Sequence, residues 1–101
     1  MFKRVLIANR GEIAIRIARA AAALSLESVS IHSAADARAL HTRMTTGSRL
    51  VGHGQSDPIQ PYLDIPMLVA TAQEAGCDCI HPGYGFLAES AAFAAYCDFS
   101  V

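Results

Sequence analysis

The chain has 101 residues, of which 52% are hydrophobic, enough to form the core of one ordinary domain. Eight Lys and Arg residues against nine Asp and Glu residues give a formal net charge of −1. This balance excludes the strong charge fields typical of proteins that bind nucleic acids, acidic membranes or polyanions. Specific recognition must therefore depend on local sites.

Cysteine usage and the amino-terminal residues indicate the compartment. Cys77, Cys79 and Cys97 are an odd set that predicts neither a disulfide framework nor a zinc site, so we interpret them as thiols in a reducing compartment. The apolar run Val5–Ala8 is too short for a signal peptide or a transmembrane span. We therefore expect a cytoplasmic protein without a membrane anchor.

The first third of the chain predicts a βαβ unit. Arg4–Ala8 is aliphatic without alternation, as in a parallel strand covered on both faces, and Asn9–Gly11 supplies a turn. Glu12–Leu26 then predicts an amphipathic helix and Ser28–His32 a second strand, joined by a right-handed crossover. The apolar positions that recur at helical spacing are Ile13, Ile17, Ala20 and Leu24.

The middle of the chain is less regular. A helical turn is predicted around Asp36–Met44 and a short strand at Arg49–Gly52. The loop Gly52–Tyr62 contains two glycines and two prolines in a polar setting, which is typical of an exposed loop. Asp64 can cap a following helix that Gly76 ends.

The last part of the chain predicts one more strand, at Asp78–His81, followed by the turn Pro82–Gly85 and an alanine-rich helix at Ser90–Tyr96. The alternation of strands and helices predicts a three-layer, Rossmann-like α/β domain with a mainly parallel sheet. The residues expected to form its buried strands are Val5, Leu6, Ile7, Val29, Ile31, Cys79 and Ile80.

Two sequence blocks are more specific than a general α/β pattern. They are Leu6–Ala14, which reads LIANRGEIA, and Ile80–Leu87, which reads IHPGYGFL. Together they resemble the biotin carboxylase family, with weaker agreement between them. The resemblance identifies residues 1–101 as an amino-terminal domain of the pre-ATP-grasp type, with the ATP-grasp and carboxy-terminal lobes expected outside it.

The resemblance implies an ATP-dependent ligase. Members of the family use ATP, Mg²⁺ and bicarbonate to make carboxyphosphate, and then carboxylate biotin on a carrier domain. Lys3 is the single lysine here, no glycine-rich phosphate loop is present and the acids are scattered, so we expect no catalytic or metal-binding residue in this chain. The fragment alone is expected to be inactive.

The turn after the last strand is the candidate binding site. In the family this turn lies beside the biotin ring, which maps to Gly83, Tyr84 and Gly85. A turn at the carboxyl end of a parallel strand is where open α/β sheets place ligands. The alternative is a purely structural turn in which Tyr84 packs at the surface.

The first helix carries a candidate interface. Arg19 matches a family position at the dimer interface, and Arg16 lies near it on the same helix. In the family the Arg19 guanidinium pairs with a carboxylate one turn later, where this chain has Ala23. The alternative is that both arginines form a solvated helix face.

Asn9, Arg10 and Glu12 stand at the end of the first strand, where catalytic groups often lie. We interpret them as architecture: Glu12 suits a helix start, and Asn9 can satisfy loop amides. His81, before Pro82, is interpreted as a hydrogen-bonded packing residue and not as a base.

The functional alternatives stay open at this point. A non-catalytic α/β scaffold or interaction module is the main rival, followed by the matching domain of another ATP-grasp enzyme. A dinucleotide-binding Rossmann domain is disfavoured because the glycine fingerprint is absent. The expected partners are the remaining lobes, a biotin carrier domain, a carboxyltransferase and a second copy in a homodimer, while the final carboxyl acceptor is undetermined.

Overall fold

The computed structural model describes residues 2–36, 38–52 and 60–83. In chain order its strands and helices are β1 (Arg4–Ile7), α1 (Gly11–Ala23), β2 (Glu27–His32), β3 (Gly47–Leu50), α2 (Ile65–Glu74) and β4 (Cys79–His81). Short 3₁₀ turns at Ala34–Asp36, Leu40–Arg43 and Gln60–Leu63 complete the described regular structure. The predicted helix at Ser90–Tyr96 lies outside the described residues.

The four strands form one parallel sheet in the order β3-β2-β1-β4. Leu6 lies opposite Val29 on one side and Ile80 on the other, so β1 is central. The predicted α/β class and parallel sheet are confirmed. The strand predicted at Arg49–Gly52 is shifted, because the chain pairs with β2 from Gly47 onward.

One face of the sheet, here called the α2 face, holds the larger core. Leu6, Val29 and Ile31 project from adjacent strands into a cluster with residues of α2 and with the fully buried Tyr62. The buried members of this cluster are Leu6, Ala8, Val29, Ile31, Val51, Tyr62, Leu68, Ala72 and Ala75. Most of the apolar burial in the described residues is therefore on this side.

The opposite face, here called the α1 face, has a smaller core in which Ile7 packs with Ala14 and Ala18. Because the side chains of β2 alternate, the buried Ser28 and Ser30 point away from Val29 and Ile31, toward this side of the sheet. Alanines let the helix approach the strands closely, so a small number of short side chains fills the space.

The buried stripe of α1 differs from the predicted one. The helix buries Ala14, Ile15, Ala18 and Ala21. In contrast, Ala20 is exposed and Leu24, which follows the helix end, is 72% exposed. The helical period was right, but the bulkiest aliphatic residues do not all mark the face that contacts the sheet. Ile17, Ala20 and Leu24 of the predicted stripe instead line an apolar groove with Phe2, Leu26 and Cys79.

Helix α2 begins and ends as predicted. The Asp64 carboxylate accepts a hydrogen bond from the backbone N–H of Met67 at 3.2 Å, which caps the first turn. At the other end Gly76 adopts a positive φ of 74°, and the N–H of Cys77 donates to the carbonyl of Ala72 at 2.8 Å. These contacts deliver the chain to the start of β4.

The predicted strand residues are buried to different extents in different strands. The five from β1 and β2 are buried as expected, whereas Cys79 and Ile80 are half-buried. Both belong to β4, which pairs only with β1 among the described strands and so lies at the edge of the described sheet. In the described ranges, neither helix has the length and apolar character needed to cross a membrane.

Candidate functional site

The two sequence blocks meet at the carboxyl ends of β1 and β4. The backbone N–H of Ala8 donates to the carbonyl of His81 at 2.9 Å, which extends the β1–β4 pairing by one residue. Asn9 follows and is buried, with 2% of its surface exposed. Its side-chain N–H donates to the Pro82 carbonyl at 2.9 Å, and its side-chain oxygen accepts the N–H of Arg10 at 2.8 Å.

Gly83 is fixed in place by helix α1. Its φ is +70°, and a Cβ atom at this position would lie 2.8 Å from Cγ2 of Ile13 and 3.1 Å from Cδ1 of Ile17. Both the backbone angle and the lack of space therefore require glycine. The Gly83 N–H donates to Nδ1 of the exposed His81 at 3.0 Å, so this amide is already hydrogen-bonded within the turn.

Of the predicted biotin-side residues, Gly83 is the one whose position the structure describes, while Tyr84 and Gly85 lie outside the described residues. The described part of the turn is held on two sides, by Asn9 at Pro82 and by α1 at Gly83. The position of Gly83 therefore depends on contacts with Asn9 and α1 as well as on its place after β4.

A polar network lies beside Asn9. Arg10 donates from Nε and Nη2 to the two carboxylate oxygens of Asp36, at 2.7 and 2.6 Å. The Tyr62 hydroxyl donates to the Asp36 carboxylate at 2.7 Å and accepts the backbone N–H of Ser33 at 3.3 Å. A bidentate pair with a further phenol donor is a strong, directional arrangement. It joins the turn after β1, the 3₁₀ turn after β2 and the segment before α2.

The network shifts the ionisation of its members. The hydrogen bonds from Arg10 lower the pKa of the Asp36 carboxyl, against the opposing effect of burial, and they also raise the pKa of Arg10. Burial, followed by the hydrogen bond to Asp36, raises the pKa of Tyr62 to about 12. The charged carboxylate and the neutral phenol are thus the forms that the fold stabilises.

His41 completes the support of the helix start. Its ring is buried, with Nε2 2.9 Å from the Ile31 carbonyl and Nδ1 3.4 Å from the N–H of Gly11. A carbonyl can only accept and an amide can only donate, so the ring carries its hydrogen on Nε2 and accepts at Nδ1. His41 therefore connects β2 to the first residue of α1.

In the structure the side chains of Asn9 and Arg10 hydrogen-bond to Pro82 and Asp36, and the partner of Arg10 was not predicted. A signal was available, because Arg10 and Asp36 follow adjacent strands whose carboxyl ends meet at one edge of a parallel sheet. Tyr62 lies 26 residues after Asp36, and no local spacing indicates that it returns to this carboxylate.

Arg16 and Arg19, the predicted interface residues, are both exposed on α1. Arg16 forms an ion pair of 3.3 Å with Glu12 one turn earlier, and both side chains are largely in solvent. Within residues 2–36, 38–52 and 60–83, Arg19 has no ion-pair partner. Arg16 also lines the apolar groove, beside Ile17 and Leu24.

Comparison with known proteins gives matches along almost the whole chain. The family described as "Biotin carboxylase, N-terminal domain" matches residues 1–100. Biotin carboxylase 1 of Bacillus subtilis is 48% identical over 98 residues, covering 97% of this chain and 21% of the relative. The mitochondrial pyruvate carboxylase of Rattus norvegicus is 45% identical over 95 residues, covering 94% of this chain and 8% of the relative.

Solved structures agree with the sequence matches. The biotin carboxylase domain dimer of Hydrogenobacter thermophilus 2-oxoglutarate carboxylase, in complex with MgADP, ADP and bicarbonate, superposes with a TM-score of 0.92 at 42% identity. The alignment covers 98% of this chain and 21% of that one. The chain thus spans about a fifth or less of the length of the relatives that it matches.

Proposed function

Because the chain belongs to the biotin carboxylase amino-terminal domain family, we propose that it is the leading part of an ATP-dependent biotin carboxylase, a carbon–nitrogen ligase. The observation that carries the proposal is the match over residues 1–100, which includes both sequence blocks and the contact between them. In the proposed reaction, ATP phosphorylates bicarbonate to carboxyphosphate and ADP leaves. The carboxyl group then passes to a ureido nitrogen of carrier-bound biotin, which loses its proton, and inorganic phosphate is released.

The turn at Gly83, Tyr84 and Gly85 is the proposed biotin-side wall. It follows the carboxyl end of a parallel strand, where α/β sheets commonly bind ligands. Gly83 already uses its N–H to bond His81, so its proposed role is to set the path of the turn. Direct contact with the biotin ring is then assigned to Tyr84 and Gly85, which come next in the sequence.

ATP and Mg²⁺ are proposed to bind in other lobes of the longer enzyme. This chain has one lysine, Lys3, and the described residues hold no cluster of metal-ligating side chains. We expect a polypeptide of these 101 residues to show no MgATP binding in titration calorimetry. A magnesium-dependent binding isotherm with a Kd in the micromolar range would contradict the proposal that ATP and Mg²⁺ bind in other lobes.

The proposed partners are the remaining lobes, the biotin carrier domain, a carboxyltransferase and a second subunit. Arg16 and Arg19 are the proposed dimer contacts, supported by their exposure on α1 and by the dimer seen in the Hydrogenobacter relative. A cytoplasmic location is proposed because Cys77 and Cys79 are free thiols, whose pKa values are raised by burial.

A domain exchange tests the proposed function. The chain replaces the matching segment of Bacillus subtilis biotin carboxylase 1, and biotin-dependent, bicarbonate-dependent ATP hydrolysis is measured. We expect the chimera to keep about a tenth or more of the parental kcat/KM for biotin, because the segment carries the same blocks and fold. A correctly folded chimera without biotin-dependent turnover would favour the non-catalytic scaffold.

A further inference from the structure

The Asn9 side chain hydrogen-bonds to both sequence blocks at the edge of the sheet where they meet. It is 2% exposed, and its side-chain nitrogen lies 3.0 Å from where a Cβ on Gly83 would stand. The turn therefore packs directly against the Asn9 amide as well as accepting its hydrogen bond at Pro82. An amide supplies both the donor for Pro82 and the acceptor for the Arg10 N–H.

The orientation of the Asn9 amide follows from its partners. The Arg10 backbone N–H can only donate, so the oxygen faces it; the Pro82 carbonyl can only accept, so the nitrogen faces that side. A carboxylate of the same shape would keep the first contact but set a negative oxygen against the Pro82 carbonyl. The two contacts can thus be separated by one nearly isosteric substitution.

A second set of hydrogen bonds holds the residue that follows Asn9. Arg10, the next residue, is fixed by its bidentate pair with Asp36, which Tyr62 also bonds. We therefore expect the turn to conform to Asn9. Fixing a binding element to within a fraction of an ångström is the usual task of such supporting contacts.

We propose that Asn9 is a positioning residue for biotin, acting through its hydrogen bond to the Pro82 carbonyl to set the turn that begins at Pro82. This inference rests on the proposed function, since it takes that turn to be the biotin-side wall. It assigns no contact between Asn9 and biotin. Loss of the hydrogen bond should displace the turn and weaken the use of biotin selectively.

The test uses Asn9→Asp and Asn9→Ala in the active chimera, assayed with free biotin as substrate. We expect kcat/KM for biotin to fall about ten- to a hundredfold, mainly through a higher KM, since small displacements of binding groups have effects of this size. Bicarbonate-dependent ATP hydrolysis without biotin should fall by a much smaller factor. Asn9→Asp should resemble Asn9→Ala, because both lose the donor to Pro82.

Ser30→Ala is the matched control. Ser30 is also fully buried and hydrogen-bonds Thr45 at 2.9 Å, but it lies on β2, away from the turn. We expect its biotin KM to stay at the chimera's value. If the Asn9 variants do not fold, Asp36→Asn provides a second test. It weakens the ion pair that holds Arg10, so it should produce the same selective loss of biotin use to a smaller degree.

The outcomes separate the two proposals. A folded but inactive chimera with native Asn9 counts against the proposed function itself. An active chimera whose Asn9 or Asp36 variants lose biotin turnover and biotin-independent ATPase by equal factors, with circular dichroism unchanged, overturns the positioning role. An unchanged biotin KM in Asn9→Asp also overturns it.

Discussion

The two faces of the sheet differ in the size of the side chains that pack on them. On the α2 face, Leu6 and large residues of neighbouring strands pack with Leu68 and Tyr62 into one continuous buried cluster. On the α1 face, Ile7 meets only alanines in the buried cluster, and Leu24 beyond the helix is largely exposed. The first face holds the domain together, and the second leaves apolar surface for other contacts.

This difference explains why the candidate site lies where it does. The turn that starts at Pro82 packs on the α1 side, where Ile13 and Ile17 leave room only for glycine. The described part of the turn is therefore held by a few short-range contacts with Asn9, Ile13 and Ile17. Changes on the α2 face should affect stability first, whereas changes of the Asn9 side chain should affect function at smaller cost to stability.

The largest effect is expected from Leu68→Ala, which empties a fully buried position in the α2-face cluster. We expect the free energy of unfolding to fall by about 2–5 kcal/mol, as for other large-to-small core changes. Urea denaturation checks it. A loss below about 1 kcal/mol would mean that this face is not the main source of stability.

Gly83→Ala should have the next largest effect. The new Cβ would meet Ile13 at 2.8 Å and the residue would keep a positive φ, so we expect a loss of about 2–4 kcal/mol. Gly76→Ala is the matched control, since Gly76 has a φ of +74° but nothing within 4 Å of the added Cβ. It should cost about 1 kcal/mol. Equal losses would show that backbone angle, not packing on α1, explains Gly83.

Tyr62→Phe should cost about 1–2 kcal/mol near neutral pH, because the hydroxyl bonded to Asp36 is lost from a buried site. The folded state raises the pKa of Tyr62 to about 12, so this contribution is present below about pH 10 and is lost as pH rises toward 12. Thermal melts at pH 9 and pH 11 check the sign. The wild type should lose more stability over this interval than Tyr62→Phe.

The stability that Asp36 contributes has the opposite pH dependence. Its pKa is lowered by Arg10, so the stability that it contributes is present above its unfolded pKa of about 3.9 and declines as pH falls through the lower folded value. The stability difference between wild type and Asp36→Asn should therefore be largest near neutral pH and shrink below about pH 4. A difference that grows on acidification would contradict the Arg10–Asp36 assignment.

The smallest effect is expected from Leu24→Ser. Leu24 is 72% exposed at the end of α1, so its replacement should change the free energy of unfolding by less than about 0.5 kcal/mol. Urea denaturation of Leu24→Ser and of Leu68→Ala compares the two faces directly. A loss near that of Leu68→Ala would show that the α1 face contains a core as extensive as the other.

The strands and the start of α2 were predictable because their signals are local. Val5–Ile7 has the unbroken apolar pattern of a covered strand, and Asp64 is a helix cap by residue type alone. The contact face of α1 was not predictable from aliphatic size, since alanines at Ala14 and Ala18 allow closer approach than bulky residues do. Helical spacing gives the period, but it does not show which stripe a sheet will select.

The site was predictable in part. The resemblance led to the turn at Gly83, and strand order brings Asn9 beside it, as observed. The steric reason for Gly83 was not accessible, because it depends on the exact depth at which Ile13 and Ile17 lie above β4. The return of Tyr62 to Asp36 likewise depends on the crossover from β3 to α2, whose path no spacing in the sequence specifies.

The most direct test of the account is Gly85→Val in the active chimera, with biotin KM and biotin-independent, bicarbonate-dependent ATPase measured side by side. A branched side chain at a residue proposed to contact the biotin ring should obstruct biotin, while ATP and bicarbonate are proposed to bind in other lobes. We expect a raised biotin KM and a much smaller change in the ATPase. Equal losses in both assays, with the fold intact by circular dichroism, would contradict the assignment of this turn to biotin.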